Sequence, residues 1–171
     1  MKKAIFLILT IGLFASCQPK GPARYSVNSA EIDVAKKLVA DYEKGDWDAW
    51  TGHYADSAKV YHNSVDAVTP EQISEGLKDL LKSVSSYGFS DEDVYYEMVI
   101  DDQGEKWVNY WANWEGVLEA NDKKLTIPVH ITLQFVENKI VEEHAYYDMS
   151  EYVTSMNEIA AAKMAEEAVE E

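Results

Sequence analysis

Between Leu125 and Phe135 the chain alternates without a break: Leu125, Ile127, Val129, Ile131, Leu133 and Phe135 are apolar. Thr126, His130, Thr132 and Gln134 fall between them. Period two is the mark of a strand buried on one face. The stretch Lys106–Leu118 reads as a second long strand, with shorter ones near Val94–Ile100, Ala58–Asn63 and Ile140–Asp148. Helical spacing comes earlier. Ile32, Ala35, Leu38, Val39 and Tyr42 recur at helical intervals after Asn28 or Ser29, with Glu31 placed to complete a capping box on Asn28 and Gly45 to end the helix. Asp46 is placed to cap a short helix carrying Trp47, Trp50 and Tyr54. Thr69-Pro70-Glu71-Gln72 supplies an N-cap, a first-turn proline and a capping-box Gln, ahead of the stripe Ile73, Leu77, Leu80, Leu81 and Val84. From Ser150 the chain is acidic and Ala-rich, a helix with the weak stripe Val153, Met156 and Ile159. Helices first and an antiparallel meander afterwards is an α+β order.

Turn lengths set the expected faces. A four-residue loop around Ala120–Lys123 aligns Val108, Tyr110, Ala112, Trp114 and Leu118 with the buried side of the next strand. An even loop at Glu137-Asn138-Lys139 would turn Glu142, His144, Tyr146 and Asp148 inward and leave Trp107, Asn109, Trp111, Asn113, His130 and Thr132 outside. The expected site is therefore a polar row on the last strand, within an apolar inner face.

The first residues read as an address. Lys2 and Lys3 precede the apolar run Ala4–Phe14, which is too short to cross a bilayer, and Phe14-Ala15-Ser16-Cys17 follows. This resembles a bacterial lipoprotein signal, with Phe where Leu is usual, which implies palmitate-type lipidation of Cys17 and an extracytoplasmic, envelope-anchored domain. The alternative is an ordinary secretory signal. The expected organisation is a signal over 1–16, a tether over 17–28, one domain over 29–155 and an acidic tail over 156–171. Cys17 is the only cysteine, so an internal disulfide and a cysteine-based zinc site are excluded. Net charge is −16, and −18 once Lys2 and Lys3 leave with the signal. That balance argues against nucleic acid and anionic lipid as partners and confines any membrane contact to the lipid.

The segments Gly45-Asp46-Trp47-Asp48-Ala49, Tyr54-Ala55-Asp56, Val60-Tyr61-His62-Asn63, Trp114-Glu115-Gly116, Pro128–Phe135, Asn138–His144 and Tyr147-Asp148 follow one another in an order that resembles SnoaL-like domains of the nuclear-transport-factor-2-like fold. The resemblance covers roughly 30–155 and lacks the Gly common in that family's last turn. It implies three N-terminal helices on a strongly curved, mostly antiparallel sheet, a cone-shaped half-barrel with an aromatic-lined cavity. Family members include polyketide cyclases, ketosteroid-isomerase-like and dehydratase-like enzymes and non-catalytic pocketed proteins, so fold alone does not give function.

His144, Asp148 and His62 are the candidate proton-handling groups. Each has a structural alternative: a bonded core histidine at His144 or His62, and a helix cap at Asp148. Trp50, Tyr54, Tyr110, Trp114, Glu142 and Tyr146 are the candidate ligand-binding residues. Strand spacing disperses Glu142, His144 and Asp148, and no metal motif or Gly-rich phosphate loop is present, so neither metal nor cofactor is expected. Three readings remain. One is a pocket for a small, largely apolar or carbonyl-containing molecule. Another is a cofactor-free isomerase, cyclase or dehydratase with His144 or Asp148 as base. The third is an interaction module that dimerises through the Trp107/Trp111 face.

Overall fold

A computed structural model describes residues 23–170. Cys17, the signal and the start of the expected tether lie outside them. The described chain is α+β. In order it runs β1 (Tyr25–Ser26), α1 (Ala30–Lys44), α2 (Trp47–Thr51), β2 (Tyr54–His62), α3 (Pro70–Leu81), β3 (Val84–Phe89), β4 (Tyr95–Ile100), β5 (Lys106–Leu118), β6 (Lys124–Val136), β7 (Lys139–Tyr147) and α4 (Ser150–Glu170). The seven strands form one curved, unclosed sheet in the order β1-β4-β5-β6-β7-β2, with β3 also paired to β5. Only β2–β7 is parallel.

Local chemistry sets most boundaries. Ser29, not Asn28, caps α1 by accepting from Ile32 N. Glu31 makes no capping box; it is buried and takes the Lys106 ammonium. Gly45 ends the helix at φ 68°, the left-handed cap conformation that glycine adopts without strain. Thr69 and Gln72 form both halves of the capping box of α3. Tyr54 opens β2 rather than extending α2, and Tyr25–Ser26, within the expected tether, adds a short strand to β4. Periodicity does not predict β3. Val84 reads as the end of the α3 stripe, and Ser85-Ser86 and Gly88 carry little strand preference.

The β5–β6 register is the expected one: Val108 faces Leu133, Tyr110 faces Ile131, Ala112 faces Val129 and Trp114 faces Ile127. At the next hairpin expectation and structure part. The loop is the two residues Glu137-Asn138, with φ 50° and 62°, as a type I′ turn requires. Phe135 pairs with Ile140, so the hairpin begins with the expected parity. Then Gln134 pairs with Glu142, which leaves Val141 as an extra residue on β7. This bulge reverses every side chain beyond it. Leu133 faces Glu143, Ile131 faces Ala145 and Val129 faces Tyr147.

The inner face of β7 therefore carries Glu143, Ala145 and Tyr147. Glu142, His144 and Tyr146 stand on the outer face, against expectation. His144 stacks on Tyr61 with ring centroids 4.6 Å apart, and its Nε2 lies 2.8 Å from Glu142 Oε1. Beside them Trp111 stacks on His130 at 4.7 Å, and Tyr146 is 53% exposed. Burial holds the His130 imidazole below its ordinary pKa range.

The core lies between the inner sheet face and the helices. Ile32, Ala35 and Leu38 of α1 pack there with Val60, Val108, Leu133 and Ile140. α4 contributes Tyr152, Met156 and Ile159, and Met149 joins them from the turn ahead of it.

Candidate functional site

The cone is not packed solid. It holds a cavity of about 100 Å³, space for a compact molecule. Leu38, Val39 and Tyr42 come from α1, Trp50 from α2, and Leu77 and Leu80 from α3. The sheet supplies His62, Phe89, Trp114, Ile127, Val129, Ile131, Glu143, Ala145 and Tyr147, and Met149 and Tyr152 close one side. The wall is almost wholly apolar and aromatic. Trp114 Nε1 is spent on Tyr42 Oη, 2.9 Å away, so that edge offers the cavity no free donor.

One polar group of residues breaks the wall. His62 ends β2, and β2 runs parallel to β7 with Val60 opposite Glu143 and His62 opposite Ala145. That register sets the imidazole between the next two inward side chains of β7. His62 Nε2 is 2.9 Å from Glu143 Oε1, and His62 Nδ1 is 3.0 Å from Tyr147 Oη. Tyr54 Oη donates to the other carboxylate oxygen, Glu143 Oε2. Glu143 is 1% exposed and Tyr54 is buried behind it.

Tyr54 donates to Glu143 Oε2, and with His62 assigned as the neutral tautomer carrying its proton on Nε2, the imidazole donates to Glu143 Oε1 and accepts from Tyr147 at Nδ1. A buried carboxylate with each oxygen paired is the arrangement that makes its burial tolerable.

The tyrosines feel the same surroundings. Burial, and then the charge of Glu143, push Tyr147 up to about 12. Burial, the Glu143 charge and the bond to it raise Tyr54 well above the ordinary phenol range. Burial raises Tyr42 as well. All three remain protonated donors at neutral pH. A phenol whose folded pKa is raised contributes stability that is present below its unfolded value, near 10, and is lost as pH rises toward the folded one. Tyrosinate absorbance from these rings should accordingly appear together with the loss of circular dichroism above about pH 10. Ionisation of all eleven tyrosines ahead of unfolding would contradict it.

The sequence-predicted residues divide. His62, Trp50 and Trp114 line the cavity. Tyr54 holds Glu143 from behind. Tyr110 is buried outside the cavity wall, against Tyr96 and Phe89 at 4.6 and 5.4 Å between ring centroids. His144, Glu142 and Tyr146 are on the far side of the sheet. Asp148 is exposed, and its carboxylate accepts from Ser150 N and Oγ, which holds its pKa below the usual carboxylate range. It shapes the entry to α4 and does not reach the cavity. Sequence reasoning misses Glu143 and Tyr147 as site residues, and the only signal for them is the apolar pair Ile140 and Ala145. A bulge after Ile140 puts both inside. Among the described residues no three His, Cys, Asp or Glu side chains converge as a metal site.

No protein-family model matches the sequence, and no curated protein matches it. Solved structures do. PrhC from Penicillium brasilianum is 18% identical with a TM-score of 0.61, over 81% of this chain and 93% of that one. A protein provisionally named a SnoaL-like polyketide cyclase, from Jannaschia sp. CCS1, is 15% identical with a TM-score of 0.60, over 78% and 96%. A protein of ketosteroid-isomerase-like fold from Catenulispora acidiphila, solved with trimethylamine, is 15% identical with a TM-score of 0.55, over 69% and 87%. At these identities the likeness is one of fold: the chain has the SnoaL-like, nuclear-transport-factor-2-like cone.

Proposed function

We propose that this SnoaL-like cone binds a small, largely apolar molecule bearing one hydrogen-bond-accepting oxygen, and that Tyr147 meets that oxygen. The observation that carries the reading is the chain Tyr147–His62–Glu143–Tyr54, set into an otherwise apolar cavity wall. A ketone or ester carbonyl of compact size fits the volume and the single polar wall. Tyr147 turns its proton from His62 Nδ1 to the ligand oxygen, and the apolar remainder is held by Trp50, Trp114 and Leu77.

The test is a thermal-shift and calorimetric titration with small cyclic ketones, cyclohexanone among them. Tyr147→Phe is expected to weaken binding about tenfold, or ~1.4 kcal/mol, and, by leaving His62 Nδ1 without its partner, to lower the unliganded melting temperature by a few degrees. Equal affinity of the Tyr147→Phe and wild-type proteins, or no binding by either, would sink the reading.

The same chain favours a second reading, cofactor-free proton transfer next to the carbonyl. His62 lines the cavity with Nε2 held by Glu143 and Nδ1 engaged only by the Tyr147 hydroxyl, and in the Nε2–H tautomer Nδ1 is free to act as a base once that hydroxyl turns to the ligand. In it His62 takes the proton from carbon and Tyr147 stabilises the enolate oxygen. The decisive measurement is deuterium exchange at the α-carbon of a bound ketone, expected in the wild type and absent in His62→Ala.

Location belongs to the proposal as well: the domain is held at the cell envelope by a lipid on Cys17. Palmitate labelling of the full chain in a bacterial host, abolished by Cys17→Ser, is the expected result.

A further inference from the structure

The cavity has one wall of a different kind. Nine of the seventeen lining residues lie on strands held by ladder hydrogen bonds. Met149 and Tyr152 belong instead to the entry to α4 and its first turn, where Val153 N donates to Met149 O and not to the sheet. Such a wall can lift without breaking a sheet ladder.

The attachments of α4 are few and lie at one end. Tyr152 Oη is 3.0 Å from Ser83 Oγ. Lys123 Nζ, on the β5–β6 turn, donates to the buried Ser155 Oγ at 2.9 Å and lies 3.4 Å from Glu151 Oε1. Met149, Tyr152, Met156 and Ile159 pack on the core, and from Ala160 to Val169 every residue is exposed. The junction is the two-residue link Asp148-Met149, where the exposed Asp148 carboxylate accepts from Ser150 N and Oγ.

We propose that the first half of α4 is the gate of the cavity, with Lys123 as its latch. The gate regulates the carbonyl pocket and rests on that reading for its purpose, though not for its motion. The ammonium joins two acceptors on successive turns of α4, so one side chain fixes the helix against the hairpin. Opening swings Met149 and Tyr152 away together and uncovers the cavity that Tyr147 also lines.

Two measurements on the full chain test this. Without any added molecule, amides of Ser150–Ile159 are expected to exchange hydrogen at least about a hundredfold faster than those of Val108–Ala112, through local opening. Lys123→Ala should quicken the former about fivefold and leave the latter unchanged. Equal exchange rates for the two segments would overturn the gate. The second measurement is stopped-flow binding of 2-naphthol. Lys123→Ala is expected to raise association and dissociation rates together by about fivefold, with Kd held within about twofold, and Lys123→Arg to restore both. Binding with unaltered rates, or a change confined to Kd, would make α4 a fixed wall. If 2-naphthol and the ketones all fail to bind, the pocket reading falls, while hydrogen exchange still decides whether α4 opens.

Discussion

Glu143→Ala is expected to lower stability by about 3–5 kcal/mol, because it removes the shared partner of two buried groups. The carboxylate is 1% exposed and takes hydrogen bonds from both Tyr54 and His62. With alanine there, the Tyr54 hydroxyl and His62 Nε2–H lose their acceptor in a place with little access to water. For a domain of this size the loss corresponds to a fall in melting temperature of roughly 10 °C. Glu143→Gln keeps the shape and one acceptor oxygen for Tyr54, so a smaller loss of about 1–3 kcal/mol follows. Denaturant unfolding of the three proteins gives the comparison. An alanine variant as stable as wild type would mean that the chain of hydrogen bonds contributes nothing to folding. Equal losses for Ala and Gln would place the whole effect in the charge.

Gly116→Ala carries the second large effect, and it is steric. Gly116 sits two residues along β5 from Trp114, on the same face, and the indole lies over it. A Cβ at Gly116 would stand 2.2 Å from Cη2 and 2.7 Å from Cζ3 of that ring, closer than atoms can approach. The ring must leave its place, losing the Trp114–Tyr42 bond and pushing into the cavity it now walls. Overpacking and the lost bond together imply about 2–4 kcal/mol of destabilisation. Ketone binding should also disappear from the titration. Gly76 is the control with the opposite sign. It lies within α3 with nothing inside 4 Å of an added Cβ, so Gly76→Ala should stabilise by about 0.5–1 kcal/mol. A higher melting temperature for Gly116→Ala would refute the steric argument, and a lower one for Gly76→Ala would refute the helix argument.

The two glycines show how far composition goes without structure. The sequence sets Gly76 in a helical pattern and Gly116 in a strand two residues after Trp114, but not that the indole folds back over Gly116. The same limit appears at the site. Alternation in β6 is strong enough to decide which face is buried, and the β5 pattern falls into register with it. In β7 the segment Ile140–Tyr147 offers no such clean preference, because Ile140 and Tyr146 on one parity compete with Val141, Ala145 and Tyr147 on the other. Either choice buries one glutamate. A single bulge residue then decides the question and exchanges His144 for Glu143 as the inward group.

The sequence by itself determined the elements whose signals are local: the capping box at Thr69 and Gln72, the glycine stop at Gly45, the long alternating strands and the α+β order. It also placed His62 on the face of Ala58 and Val60, since that depends only on strand periodicity. Tertiary structure alone decided the partners of His62. They come from a strand 81 and 85 residues away, and their parity depends on Val141 being squeezed out of the ladder. Side-chain direction within a strand is a local property. Which strand lies alongside, and in what register, is set by packing of the whole sheet, and at this protein's cavity that packing selects the chemistry.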